Sequence, residues 1–320
     1  YDLRLQKYKL RTMLTSFFSN SRPFHFIVVS LLLFAGCFFN IIYDLNEATN
    51  YDSIVQLLTQ NTIFLLLFLL LSFIIKKNRL TQSNSYALFL FSCFILTIPL
   101  LFKELNPAFS FFFLLLALRR ILSISSKKNS EKKILDASIW ISIAALFYFW
   151  SILFFIILFI AIIQLASKNY KFVFIPFVGF TSIFILTTVY HIIANDSFWW
   201  FLEYKEQISF DFTPYYSLKT IISSIYILAL GIFGVIYKSI NISNTPLKEK
   251  SKYWILLFSL LIGLILIVLT NHKNGSELMF LLVPISIFIA NFIETNSKKW
   301  ISELFLWLVF AFPFVIFFIK

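Results

Sequence analysis

Apolar residues come in long unbroken blocks along this chain, parted by short polar interruptions that hold most of the charge. Runs such as FLLLFLLLSFII (64–75) show no period-two alternation, which excludes a transmembrane barrel. Helices remain, because lipid offers no partner for free backbone groups. The blocks place spans at 24–42, 54–75, 84–102 and 108–121, then at 172–193, 217–237, 253–269, 278–292 and 304–319. The block from 134 to 166 breaks the rule of one block, one span. It runs 33 residues with a single charge, Asp136, and as one helix would measure roughly 50 Å against a hydrocarbon core of about 30 Å. We read it as two spans, 134–148 and 151–166, joined by a turn at Tyr148-Phe149-Trp150-Ser151.

Loop charge supports that fold-back. With it, 22 basic residues fall on one side and 5 on the other, whereas a single crossing makes the division 18 and 9. The positive-inside rule prefers the first. The prediction is an all-α polytopic bundle of eleven spans in a bacterial inner membrane, N-terminus cytoplasmic and C-terminus periplasmic. Residues 1–23 form a cytoplasmic segment and 24–320 one transmembrane domain. Residues 1–12 read as a tail, or as translated sequence upstream of a start at Met13. Nine of the fifteen acidic residues then lie outside. Spans 134–148 and 151–166 rise only about 22–24 Å, so their turn should sit below the outer surface. Beside the short span 108–121 it would leave an outward-facing recess.

Composition narrows the function classes. With 60% hydrophobic and 13% charged residues, the 320-residue chain has no room for a soluble domain. The net charge of +12 sits in short loops where it sets orientation, so nucleic acid is not an expected partner; membrane lipids are. Cys37 and Cys93 fall inside apolar blocks and read as packing residues. No P-loop, GxGxxG, HExxH or CxxC occurs. No series of charges lies deep in the spans, which weighs against an ion-coupled transporter.

Five constellations are candidates for chemistry, four of them beside a plainer reading. The first outer loop carries Asp44, Glu47 and Asp52. They suit a general base or the ligands of a divalent metal beside a lipid diphosphate, or simply a solvated acidic loop. In the loop 194–216, Trp199, Trp200 and their aromatic neighbours suit stacking on sugars or isoprenyl chains, or interfacial anchoring. Tyr148 and Trp150 belong to the sunken turn and would face its recess. His272 and Lys273 suit a phosphate contact or an ordinary turn. Within the spans, Gln56, Gln60 and Asn61 form a polar patch that bonds across helices or lines a substrate path.

Several stretches carry a resemblance. MLTSFFSNSRPFHF (13–26), the YDLN after the first span, SIAALFYFWSILFFIILFIAII (142–163) and FIPFVGF (174–180) are similar to a family of multi-span inner-membrane proteins from Bacteroidota, a family of unknown function. The AALFYFW segment is also loosely similar to polyprenyl-phosphate-dependent multi-span glycosyltransferases with a GT-C-like fold. That likeness implies an acidic residue in the first outer loop, here Asp44, Glu47 or Asp52, acting on a polyprenyl-phosphate-linked substrate. The present loop of about eleven residues is shorter than the surface helices such enzymes place there. Three functions follow as expectations: a glycosyltransferase-like enzyme, a non-catalytic subunit among other membrane subunits, or a transporter.

Overall fold

The computed structural model describes residues 13–44, 51–102, 104–165, 170–271 and 273–319. All regular structure among them is helical. Thirteen α-helices follow in chain order among the described residues: α1 (Met13–Phe18), α2 (Pro23–Asp44), α3 (Tyr51–Asn78), α4 (Tyr86–Leu96), α5 (Asn106–Ser123), α6 (Ser130–Phe147), α7 (Phe154–Leu165), α8 (Ile175–Asn195), α9 (Trp200–Tyr204), α10 (Leu218–Asn241), α11 (Leu247–Leu269), α12 (Met279–Thr295) and α13 (Lys299–Phe318). Seven of the predicted spans, those of α3, α5, α8 and α10 to α13, are long and apolar enough to cross a membrane. Those of α2, α4 and α7 hold shorter apolar helices. The α6 span falls short because its helix opens on Glu131, Lys132, Lys133 and Asp136.

The 33-residue block is two helices. α6 stops at Phe147, Tyr148 is extended (φ −147°, ψ 105°), and a 3-10 turn over Phe149–Leu153 leads into α7. α7 then packs on α11 and on the turn 124–126, beside the start of α6, so the chain reverses here. The reversal is sunk into the bundle. Ser151 is fully buried, and its hydroxyl meets that of Ser110, in the second turn of α5, at 2.6 Å.

α12 is the axis. Of its apolar window 83% is buried, and α4, α5, α10 and α11 all pack on it. Small residues bring α10 close: a Cβ on Gly231 would stand 3.1 Å from Ile285, and one on Gly234 3.1 Å from Phe288. α8 is the opposite case. Only 17% of its window is buried, and it meets the bundle mainly through α6.

Polar side chains tie the two ends of the bundle. At the end that holds most of the loop lysines and arginines, called here the basic end, Asn291 of α12 donates to Leu80 O (3.0 Å) and Ile287 O (2.7 Å). Its Oδ1 accepts from Lys238 (3.1 Å), and the Tyr253 hydroxyl lies between Leu80 O and that same Oδ1. Glu294 accepts from Asn84 Nδ2 (2.6 Å) and Gln82 N, which holds the turn between α3 and α4. Glu303 accepts from Leu14 N, Thr15 N and Thr15 Oγ1, so α13 supplies the acceptors that the first turn of α1 needs. The bridge between Arg120 and Asp136 (2.9 Å) joins α5 to α6. The patch on α3 also resolves in part: Gln60, fully buried, donates to Phe102 O.

Gly179 is the residue on which α8 seats. A Cβ there would lie 1.9 Å from Ser138 Oγ and 3.3 Å from the Ile139 backbone nitrogen. Gly179→Val is expected to cost about 1–3 kcal/mol, the usual cost of overpacking. A fall of several degrees in the thermal unfolding midpoint in detergent would show it; an unchanged midpoint would mean α8 is not seated there.

Candidate functional site

The end opposite the basic one gathers the Tyr148 turn, α9, the start of α5 and the segment between α11 and α12. Its centre is Glu277, fully buried at the start of α12. Glu277 Oε1 accepts from the Tyr215 hydroxyl at 2.7 Å and Oε2 from Gly275 N at 2.9 Å. Gly275 has φ 95°, and a Cβ would meet Thr220 at 2.9 Å, so the turn requires glycine on both counts. Burial, with the Glu277 carboxylate beside it, holds the Tyr215 phenol well above the usual tyrosine value, so it stays a donor.

Around this carboxylate the polar groups form a connected set. Asn274 Oδ1 accepts from Ser276 N (3.0 Å) and Ser276 Oγ (2.6 Å), and Asn274 Nδ2 donates to Glu104. The Tyr148 hydroxyl lies 2.8 Å from Thr270 Oγ1, which fixes the sunken turn to the end of α11. Lys273 donates to Thr270 O (2.6 Å) and Ser209 O, and its ammonium stands 4.7 Å from the centre of the Phe212 ring. Burial lowers the Lys273 amine below the usual lysine value, against the pull of Glu277 and Asp211. Asp211 is held below the usual carboxylate range by the Thr213 N–H, 2.9 Å from Oδ1.

Beside this set opens a recess of about 560 Å³. Glu104, Asn106, Tyr148, Tyr204 and Glu206 supply its polar wall, and Leu146, Phe147 and Pro107 its apolar one. α9 delivers Tyr204. The helix docks on α8 through Trp200, whose ring stacks on His191 (centroids 5.0 Å apart) and whose Nε1 donates to Thr188 Oγ1 at 3.1 Å. The Tyr204 hydroxyl then reaches the carbonyls of Ala145 and Leu146, two acceptors that the end of α6 leaves open. Burial, and after it Glu206, pushes the Tyr204 phenol up to about 12.

The sequence candidates divide around the recess. Tyr148 lines it. Trp150 is buried in the turn, and its indole N–H has no partner among the described residues. Lys273 is buried, with two of its three donors on carbonyls that hold the surrounding loops. Trp200 is a packing residue between α9 and α8, whereas Trp199 is 61% exposed and stands outside the recess. Glu47 and His272 lie outside the described residues, as do the side chains of Asp44, the last residue of α2, and Asp52, in the first turn of α3. Sequence reasoning named Tyr204 only among the loop aromatics and did not single out Glu104, Asn106 or Glu206. Their separation along the chain hid them; the signal available was a carboxylate beside a helix-starting Asn-Pro, and a second in an aromatic loop. Among the described residues no group of three or more His, Cys, Asp or Glu is placed to hold a metal.

Among the described residues the lining has two carboxylates, two phenols and an amide, and no cation. Such a wall accepts hydrogen bonds from hydroxyls or an amine and repels phosphate. Removing the Tyr215 hydroxyl tests how far the wall depends on Glu277. Tyr215→Phe strips a buried carboxylate of a donor and is expected to cost about 1–3 kcal/mol. Thermal unfolding in detergent measures this, and a loss under about 0.5 kcal/mol would mean the pair carries little.

No curated protein matches the chain. No solved structure matches it either. A family model does, over residues 13–320, which takes in the whole described bundle. The chain belongs to that family, DUF6427, a family of unknown function whose member here is built of membrane-length apolar helices.

Proposed function

We propose that the chain is an eleven-span protein of a bacterial inner membrane, with its N-terminus in the cytoplasm and the acidic recess facing the periplasm. Seven helices of membrane length, three shorter apolar ones and the reversal at Tyr148 support the count. The gathering of Lys and Arg at one end supports the orientation. Cysteines placed at Lys128 and Lys171 should be labelled from the cytoplasm, and one at Asp211 from the periplasm. Labelling of Lys128 and Lys171 from opposite sides would remove both the count and the orientation.

Within that frame the recess acts on the sugar of a lipid-linked donor, in the manner of a GT-C-like glycosyltransferase. The observation that carries this reading is the pair of carboxylates, Glu104 and Glu206, set with two phenols around a sunken non-helical turn. Non-helical backbone at membrane depth belongs where it lines a cavity. One carboxylate takes the proton from an acceptor hydroxyl, and the freed oxygen attacks the anomeric carbon. The bond from that carbon to the phosphate oxygen breaks, and the lipid phosphate leaves with the electron pair. Because the wall repels phosphate, the phosphate stays outside the recess while sugar and acceptor occupy it. Asp44, Glu47 and Asp52 are the second set of candidates for base or for holding a divalent metal.

A non-catalytic role is the second reading. α8 and α13 favour it, with 17% and 22% of their windows buried, since such faces suit the helices of another membrane subunit as well as lipid. Isosteric variants separate the two. For an enzyme, Glu104→Gln or Glu206→Gln should lower product formation by about 10²–10⁴ at normal protein abundance. Asp44→Ala and Asp52→Ala test the loop in the same way. The measurement is mass spectrometry of lipid-linked sugars in membranes carrying each variant. If all four leave that profile unchanged, the scaffold reading stands and the enzyme reading falls.

A further inference from the structure

The basic end holds a second cavity, of about 660 Å³, far along the bundle from the recess. Lys238, near the end of α10, lines it although 4% exposed. Its ammonium stands 3.3 Å from the centre of the Tyr253 ring, and one donor goes to Asn291 Oδ1. An ammonium has three donors, so this lysine is held in place with capacity left for a ligand. Arg79 stands at the rim, exposed, with φ 52°. It closes α3 in the left-handed position, with Leu80 N bonded back to Ile75 O at 3.2 Å. Glycine is the ordinary residue there, and an arginine bears a backbone cost that glycine avoids. Two cations are thus delivered to one cavity, one by burial and one against backbone preference.

The same helices carry an apolar groove of about 370 Å³ toward mid-bundle. α10 and α11 both pack on α12 and hardly on each other, which leaves a cleft with Leu281 and Ile285 as its floor. Ile232, Ile236, Trp254 and Leu261 form its sides. Polar cavity and apolar groove are lined by the same three helices at neighbouring residues: Lys238 and Tyr253 line the first, Ser239 and Trp254 the second, which sets head group beside chain. Glu249 and Glu294 also line the polar part. Glu294 already serves Gln82 and Asn84, and the two carboxylates suit a head group that offers hydroxyls or an amine next to its phosphate.

The geometry points to a phospholipid-binding site in this cleft, with the phosphate on Lys238 and Arg79 and an acyl chain between α10 and α11. It is independent of any chemistry in the acidic recess. The test uses the full chain, purified in detergent and stripped of lipid, with the thermal unfolding midpoint followed against three probes. Phosphatidylglycerol should raise the midpoint saturably, whereas diacylglycerol, which lacks the phosphate, and glycerol 3-phosphate, which lacks the chains, should not. Lys238→Met and Arg79→Gln should each weaken the half-saturating concentration by about tenfold or more, the loss expected for a charged hydrogen bond. Lys238→Arg should restore most of it. Leu261→Trp, which fills the groove and leaves both cations in place, should also weaken it. Should Lys238→Met fail to fold, Arg79→Gln at the exposed rim carries the test. The site is overturned if phosphatidylglycerol gives no shift, if either partial probe matches it, or if the shift ignores Arg79→Gln.

Discussion

A polar group inside an apolar bundle must find its partner within the protein, and α12 is where this demand is most severe. The helix is enclosed on nearly every side, so its two polar handles, Glu277 at the start and Asn291 near the end, cannot be left to water or lipid. Each draws a partner from far along the chain. Glu277 takes its donors from Tyr215 and Gly275, and Asn291 draws in Leu80, Tyr253 and Lys238. The apolar middle of α12 has no direction of its own, since lipid tails and leucines are alike to it. Its placement among α4, α5, α10 and α11 is therefore set by small-residue contacts and by these two polar ends.

The two ends carry opposite chemistry on the same scaffold. At one, carboxylates and phenols surround a sunken turn, and the nearby lysine bonds two carbonyls that hold loops together. At the other, a buried lysine and a strained arginine face a cavity whose neighbouring residues on α10 and α11 line an apolar groove. Neither hollow is an accident of loose loops. The recess exists because α6 stops short and Tyr148 leaves the helix; the cleft exists because α10 and α11 each choose α12 over one another.

Much of this was legible in the sequence, and the limits are physical. Apolar blocks located the helices because a span must be long and uncharged, and excess length together with the division of loop charge implied that 134–166 is two helices. Depth in the bundle was not legible. α8 and α12 read alike as apolar runs, yet one is the most exposed of the long helices and the other the most enclosed. In water the polar face would tell them apart; in lipid both faces are apolar. The recess was legible only at Tyr148. Glu104 and Glu206 lie about a hundred residues apart, and no spacing rule joins them. Lys273, in a short polar loop, looked solvent-facing, and only the fold shows Thr270, Ser209 and Phe212 closing over it.

The sunken turn bears on how the molecule is made. Tyr148 is anchored by Thr270, 122 residues further on, and the end of α6 by Tyr204. Chains emerge from their N-terminus, so α6 and α7 are made before either anchor has been synthesised. Until then the open carbonyls at the end of α6 have only water or lipid head groups to meet. The turn therefore closes onto its anchors only after the chain as far as Thr270 has been made.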